Sequence, residues 1–109
     1  MQELVYSLDT TLQSLKKSIS GRYGVAKERA KAEYEYRTAL GLEMAKAKAD
    51  GMAATALYDY CRGIEYIANL RCKRDTLASQ EDYLTELIFY YRAELRVIEG
   101  QLKAERQGL

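Results

Sequence analysis

The chain has 109 residues, and its 17 basic and 16 acidic side chains leave a formal net charge of +1. This balance argues against a general polyanion binder and against an acidic mimic of DNA. There is no histidine and there are only two cysteines, which argues against a structural zinc site or a histidine-based catalytic centre. The absence of proline favours a few long helices, and the length favours one domain over residues 1–109.

The first predicted helix runs from residue 2 to residue 49. Its apolar side chains recur in steps of 4, 4 and 3 residues, which is a helical period. Asp50 and Gly51 mark its end, because glycine is favoured just past a helix C-terminus. The stripe predicted to face a partner helix is Leu4, Leu8, Leu12, Leu15, Ile19, Tyr23, Ala26, Ala30 and Tyr34, continued weakly by Arg37, Gly41 and Met44.

Two further helices are predicted after Gly51. A short one covers residues 53–62 and ends before Gly63, and a long one covers residues 64–106. The long helix carries alternating steps of 3 and 4 residues over five heptads, which is the pattern of a coiled coil. Its predicted seam is Ile67, Leu70, Arg74, Leu77, Glu81, Leu84, Ile88, Tyr91, Leu95, Ile98 and Leu102.

These elements predict an all-α fold, in which the long helices form an antiparallel, coiled-coil-like hairpin with the short helix at its turn. The apolar patterns match when paired residue numbers sum to about 114, so that Leu12 meets Leu102 and Tyr23 meets Tyr91. We expect a polar seam layer to fix this register, as single polar seam residues do in coiled coils. Its members are Arg37, Arg74 and Glu81. The alternative is that part of this layer is exposed for a partner.

The segment from Tyr83 to Arg92 is apolar on nearly every side. One partner helix covers only a stripe, so such a segment needs more than one neighbour. We therefore expect a homo-oligomer, either a dimer forming a four-helix arrangement or a tetramer. The expected oligomer interface is Tyr83, Leu84, Leu87, Ile88, Phe89, Tyr90 and Tyr91. The alternative is that the short middle helix covers this surface.

The chain offers little for catalysis. Cys61 and Cys72 have no evident base beside them, and on one helix they would lie about 16 Å apart, too far for a disulfide. Neighbouring carboxylates do not share a helix face, and no glycine-rich phosphate loop is present. We expect a protein that is not an enzyme, holds no cofactor or metal and keeps its thiols reduced.

The strongest local signal for binding is the segment Ala56–Tyr66, ALYDYCRGIEY, because tyrosine and arginine dominate interaction hot spots. The expected partner-binding residues are Tyr58, Tyr60, Arg62, Tyr66, Arg71, Lys73 and Arg74. Basic groups interleaved with aromatic rings also suit single-stranded DNA. A helix-turn-helix is disfavoured, because Asp59 and Asn69 stand where that motif needs apolar residues.

Four stretches carry a family likeness: Tyr36-Arg37-x-Ala39-Leu40, Asp50-Gly51-Met52-x-x-Thr55, Arg62-Gly63 and Ala68-x-Leu70-Arg71-x-Lys73-Arg74-Asp75. Together they resemble small helical early-region proteins of temperate phages of Gram-positive bacteria. The likeness covers residues 36–75, and the proline that the family places shortly after Gly51 is absent. The family has no assigned activity, so no residue role transfers. The resemblance implies an accessory or counter-defence factor that acts in the cytoplasm of a bacterial host.

The expected function is binding to a host or phage protein that handles nucleic acid, with an anti-CRISPR-like inhibitor as one form. The first alternative is a recombination or replication accessory that binds single-stranded DNA. The second is a structural coiled-coil spacer. Neither a signal sequence nor a membrane-spanning run is evident, which agrees with a cytoplasmic protein.

Overall fold

A computed structural model describes residues 1–108, and these residues form three α-helices. Helix α1 covers Gln2–Ala49, α2 covers Ala54–Arg62 and α3 covers Glu65–Arg106. The prediction of an all-α chain with a short helix between two long ones is confirmed. Helices α2 and α3 each begin one residue later than the sequence pattern indicates.

The end of α1 is set by Gly51. This residue has a φ of +94°, a conformation that is strained for residues with a side chain. Its N–H donates to the carbonyl of Lys48, and the N–H of Met52 donates to the carbonyl of Ala47. This pair of bonds is a Schellman motif, which satisfies carbonyls that a helix end otherwise leaves without donors. The connection to α2 therefore begins from a defined backbone turn.

The chain divides into two compact units, each containing a segment of α1 and a segment of α3. We call the first the terminal unit, formed by Met1–Gly24 and the described residues from Gln80 onward. The second is the turn unit, Val25–Ser79, which also contains α2. The expectation of one domain over residues 1–109 includes Leu109, which lies outside the described residues, and it stays a prediction.

Polar contacts show the antiparallel register of the terminal unit. Thr11 Oγ1 donates to Glu94 Oε1 at 2.7 Å, and Arg22 Nε donates to Thr85 Oγ1 at 2.7 Å. The N-terminal ammonium of Met1 lies 3.1 Å from Glu105 Oε2. The paired residue numbers sum to 105–107. The predicted sum near 114 is therefore wrong by roughly one heptad, since a heptad shift keeps the same seam on α3.

The turn unit has a register of the same kind. Arg74 Nη1 lies 3.2 Å from Glu33 Oε2, and the Tyr66 hydroxyl donates to Glu43 at 2.5 Å. These two pairs of residue numbers sum to 107 and 109. In both units polar pairs beside the seam show the register, which the apolar pattern alone does not distinguish from its neighbour one heptad away.

The seam of α3 lies where the heptad pattern predicts it, with Ile67, Leu77, Ile88 and Ile98 buried. The seam of α1 differs from its prediction. Its buried residues include Thr11, Ser18, Ala32 and Tyr36, whereas Leu12, Ile19 and Tyr34 are 41%, 45% and 71% exposed. A helix packed along a heptad seam must itself follow a seven-residue step, and the predicted steps of 4, 4 and 3 drift off that seam. The small residues Thr11, Ser18 and Ala32 therefore occupy part of the contact line, which also includes Tyr36 and Leu40.

Candidate functional site

The turn unit is built on a compact core. The buried side chains of Tyr36, Leu40, Cys61 and Ile67 pack together, with Cys61 and Ile67 at 0% exposure. Helix α2 delivers Leu57 and Cys61 to the interior from one face. Tyr58 follows Leu57 and Tyr60 precedes Cys61, and adjacent residues of a helix point about 100° apart. The core therefore fixes which side chains of α2 remain at the surface.

Three tyrosines stand at the surface of the turn unit, Tyr58 and Tyr60 on α2 and Tyr66 on α3. Tyr58, Tyr60 and Tyr66 are 48%, 57% and 47% exposed, so each ring is part covered and part open to solvent. The hydroxyl of Tyr66 donates to the Glu43 carboxylate, which raises the pKa of Tyr66 and lowers the pKa of Glu43. Leu57 of the same segment lies buried.

Arg62 ends α2 in an unusual setting. Its Cζ lies 5.0 Å from the centroid of the Tyr58 ring, within the range of a cation–π contact. Its Nε is buried and donates to no acceptor within residues 1–108. Together with Arg71 and Arg74 it lines a cleft of about 410 Å³. The structure thus brings three of the predicted partner-binding arginines to one place.

Lys73 is separated from that cleft. Its Nζ lies 3.8 Å from Glu35 Oε2, and it lines another groove with Glu28 and Lys31. Sequence reasoning grouped Lys73 with Arg71 and Arg74 because they are neighbours in the chain. Adjacent residues of a helix point about 100° apart, so neighbours in sequence take different surroundings.

Arg74 is held by carboxylates. Its guanidinium lies 3.2 Å from Glu33 and 3.0 Å from Asp75, and its Cζ lies 4.6 Å from the Tyr36 ring centroid. Partial burial acts to lower the pKa of Arg74, but the bonds to Asp75 and Glu33 outweigh it and raise the pKa. The pKa of Glu33 is lowered, first by its hydrogen bond from Arg37 and then by the charge of Arg74.

The predicted polar seam layer is therefore built differently. The Arg37 side chain is 77% exposed and reaches Glu33 at 2.6 Å, so Arg37 does not lie in the seam. Glu81 is half-buried and lies 3.6 Å from Arg22. Arg74 is also half-buried, and of the three residues it is the one that lies beside the turn-unit core. The spacing of Glu33 four residues before Arg37, an i,i+4 ion pair, is the signal that could have identified the Arg37 partner.

The predicted oligomer interface lies in the terminal unit, where three of its seven residues are exposed. Ile88 is buried and Leu84, Leu87 and Tyr91 are half-buried, whereas Tyr83, Phe89 and Tyr90 are exposed. The Tyr90 and Tyr91 rings meet edge to face at 5.4 Å. A hydrogen bond to Glu94 raises the pKa of Tyr90. Sequence reasoning missed further exposed apolar residues of this unit: Val5, Leu12, Ile19 and Val97.

The two cysteines differ in exposure. Both are free thiols, Cys61 buried and Cys72 exposed. Over residues 1–108, no cluster of three or more histidine, cysteine, aspartate or glutamate side chains has a metal-binding arrangement. Over the same residues, no helix combines the length and the apolar character that crossing a bilayer requires.

Comparison with known proteins finds no family model, no curated protein and no solved structure that matches this chain.

Proposed function

We propose that the chain is a non-enzymatic helical binding protein that docks through its turn unit on a protein handling nucleic acid. The observation that carries the proposal is the exposure of Tyr58, Tyr60 and Tyr66 above a fully buried pair, Cys61 and Ile67. A rigid core beneath half-exposed aromatic rings lowers the entropy lost on binding. Tyrosine and arginine are also the residues most enriched at interaction hot spots.

The charges around this surface favour a protein partner over a nucleic acid strand. A strand-binding groove needs free cations along the backbone track. Here Lys73 is paired with Glu35, and Arg74 is paired with Glu33 and Asp75, which leaves Arg62 and Arg71 as the cations of the predicted set that make no ion pair within residues 1–108. Paired cations release few counterions from phosphates and so contribute little to strand affinity. Single-stranded DNA binding remains the alternative that the experiment below distinguishes.

The phage resemblance adds a biological setting to this proposal. The protein would act in the cytoplasm of a bacterial host as an accessory or counter-defence factor. An inhibitor of the anti-CRISPR kind is one form of such a factor, since docking alone is enough to block a partner. No catalytic residue enters the proposal.

The docking proposal is tested by affinity capture from bacterial host lysate with the tagged full chain, with and without nuclease. The test variant is Tyr60→Ala, and the matched control is Tyr34→Ala, which removes an exposed tyrosine of the same unit outside the surface. We expect one protein to be captured after nuclease treatment, lost with Tyr60→Ala and kept with Tyr34→Ala. Capture that nuclease abolishes would favour the DNA alternative, and no specific capture would favour the spacer.

We further propose that the terminal unit binds a second copy of the chain. The supporting observation is the exposure of Tyr83, Phe89, Tyr90 and Val97 on one helix, since exposed large apolar residues close together mark interaction surfaces. Light scattering tests this by mass in solution. Tyr83→Lys is expected to halve the mass of a dimer, whereas Tyr6→Lys, at another exposed tyrosine of this unit, is expected to leave it unchanged. A monomeric wild type would contradict the proposal.

A further inference from the structure

The cleft at the end of α2 has the composition of an anion site. Its volume is about 410 Å³, and the residues that line it include three arginines, one threonine and one serine. Arginine binds oxyanions with a planar fork of N–H donors, and serine and threonine hydroxyls add further donors. The polar residues of the wall are Arg62, Arg71, Arg74, Asp75, Thr76 and Ser79.

The charges of the cleft are only partly compensated. Asp75 is bonded to Arg74, and Glu33 contacts the same guanidinium from α1. Within residues 1–108, neither Arg62 nor Arg71 takes part in an ion pair. Two arginines without an ion pair therefore line a cleft whose single carboxylate is already bonded to Arg74. This matches the charge of a phosphate dianion.

Arg62 supplies an independent observation. Its Nε is buried and lacks an acceptor among residues 1–108. Buried donors without acceptors are rare in folded proteins and costly, and each calls for an explanation. The Tyr58 ring covers this guanidinium at 5.0 Å and holds its position. Because this Nε is buried, it becomes accessible to an oxyanion in the cleft only when the Arg62 side chain moves, and binding would then supply the acceptor that the N–H lacks.

We propose that this cleft binds one phosphate group, either inorganic phosphate or the terminal phosphate of a small phosphomonoester. The site takes a single group because Arg74 in the cleft wall and Lys73 outside the cleft are both bonded to carboxylates, so no basic track leads onward. Arginine forks with hydroxyl donors suit phosphate oxygens, which accept several hydrogen bonds at once. The proposal goes beyond the docking function and needs no protein partner.

Isothermal titration of the full chain tests the site, with inorganic phosphate and adenosine monophosphate as separate probes at constant ionic strength. We expect one site per chain. Arg71→Gln is the test variant, because Arg71 is half-buried and its replacement breaks no ion pair within residues 1–108. It should weaken binding roughly ten-fold or more, as expected for a lost charged hydrogen bond. Lys73→Gln, which removes the same charge two residues away, should leave the affinity within about two-fold.

The probes also identify the source of the phosphate. Tighter binding of the nucleotide would assign a phosphomonoester ligand, and tighter binding of inorganic phosphate would assign the free ion. The proposal fails if neither probe binds. It also fails if both variants weaken binding equally, or if only a 20-nucleotide DNA strand binds, because each result describes a diffuse basic surface. Circular dichroism of both variants excludes a loss of folding as the cause.

Discussion

The turn unit and the terminal unit are both built from segments of α1 and α3, but the residues buried inside them differ. In the turn unit, α2 adds Leu57 and Cys61 to the residues of α1 and α3, and the core includes two fully buried side chains. In the terminal unit only α1 and α3 meet. Its buried residues include the polar Thr11 and Ser18, while several large apolar side chains stay exposed.

The difference shows what one short helix contributes. Two helices bury a stripe along each other and leave the flanks of that stripe uncovered. A third helix covers one flank and closes a core around it. The turn unit can therefore hold binding residues on a rigid base, whereas the exposed flanks of the terminal unit are suited to another chain.

The largest expected effect on stability comes from truncating a buried isoleucine, which can be done once in each unit. Ile67→Ala should lower the free energy of unfolding by about 3 kcal/mol, because the side chain is fully buried among close-packed neighbours and truncation leaves a cavity. Ile98→Ala in the terminal unit should cost about 2 kcal/mol, because a two-helix contact collapses more easily around the gap. Urea denaturation measures both. Equal losses would mean that the two interiors are packed alike.

The next effect tests the backbone that leads into α2. Gly51→Ala should lower the free energy of unfolding by about 1–2 kcal/mol, since alanine is strained at a φ of +94°. Nothing lies within 4 Å of an added Cβ, so any loss measures backbone conformation and not crowding. Thermal unfolding monitored by circular dichroism gives the value. An unchanged stability would show that the turn relaxes to another conformation at no cost.

A smaller effect of opposite sign is expected in the terminal unit. Gly24 lies inside α1 and nothing lies within 4 Å of an added Cβ, so Gly24→Ala meets no obstacle. Alanine is favoured over glycine in a helix interior, and the variant should gain about 1 kcal/mol of unfolding free energy. The same thermal measurement serves. Destabilisation would indicate that a partner chain approaches the backbone at this glycine.

The smallest effect concerns the Tyr66–Glu43 hydrogen bond of the turn unit. The bond lowers the pKa of Glu43 below its ordinary 4.5, so its stabilisation is present above pH 4.5 and is lost as the pH falls through the lowered pKa. It raises the pKa of Tyr66 above 10.0, so the stabilisation is present below pH 10.0 and is lost as the pH rises through the raised pKa.

Tyr66→Phe should therefore lower Tm slightly at neutral pH and approach the wild type at acid and alkaline extremes. A pH series of thermal unfolding curves measures the difference. Tyr34→Phe, at an exposed tyrosine of the same unit, is the control and should match the wild type throughout. A Tm difference that stays constant with pH would assign the effect to packing and not to the hydrogen bond.

Much of the fold follows from local patterns. The heptads of α3 predict Ile67, Leu77, Ile88 and Ile98 as buried, and the Asp50-Gly51 pair predicts the end of α1. Both features depend on residues close in sequence. They can be predicted without knowing which segment of the chain packs against them.

The register and the α1 seam were not predictable in the same way. Leu12 and Ile19 are larger and more apolar than Thr11 and Ser18, so composition favours the wrong stripe. The contact line of α1 follows the seven-residue step of α3, and polar pairs such as Thr11–Glu94 lie along it. Such pairs join residues far apart in the chain, and a single sequence does not indicate which distant partners meet.

The candidate site also has one part that the sequence predicts and one part that it does not. The exposure of Tyr58, Tyr60 and Tyr66 follows from the composition of their segment. The cleft does not, because Arg62 lies on α2 and Arg71 on α3, and only packing brings them together. Lys73 shows the converse, since its nearness in sequence to Arg71 and Arg74 did not place it in the cleft.

Because one thiol is exposed and the other is buried, the protein can be labelled selectively at one cysteine. A maleimide dye added under native conditions should couple at the exposed Cys72 and spare the buried Cys61. Cys72 belongs to the wall of the arginine cleft, so the attached dye would sit at its rim. The natural chain thus carries its own position for a fluorescent reporter, which can record occupancy of the cleft without an engineered labelling site.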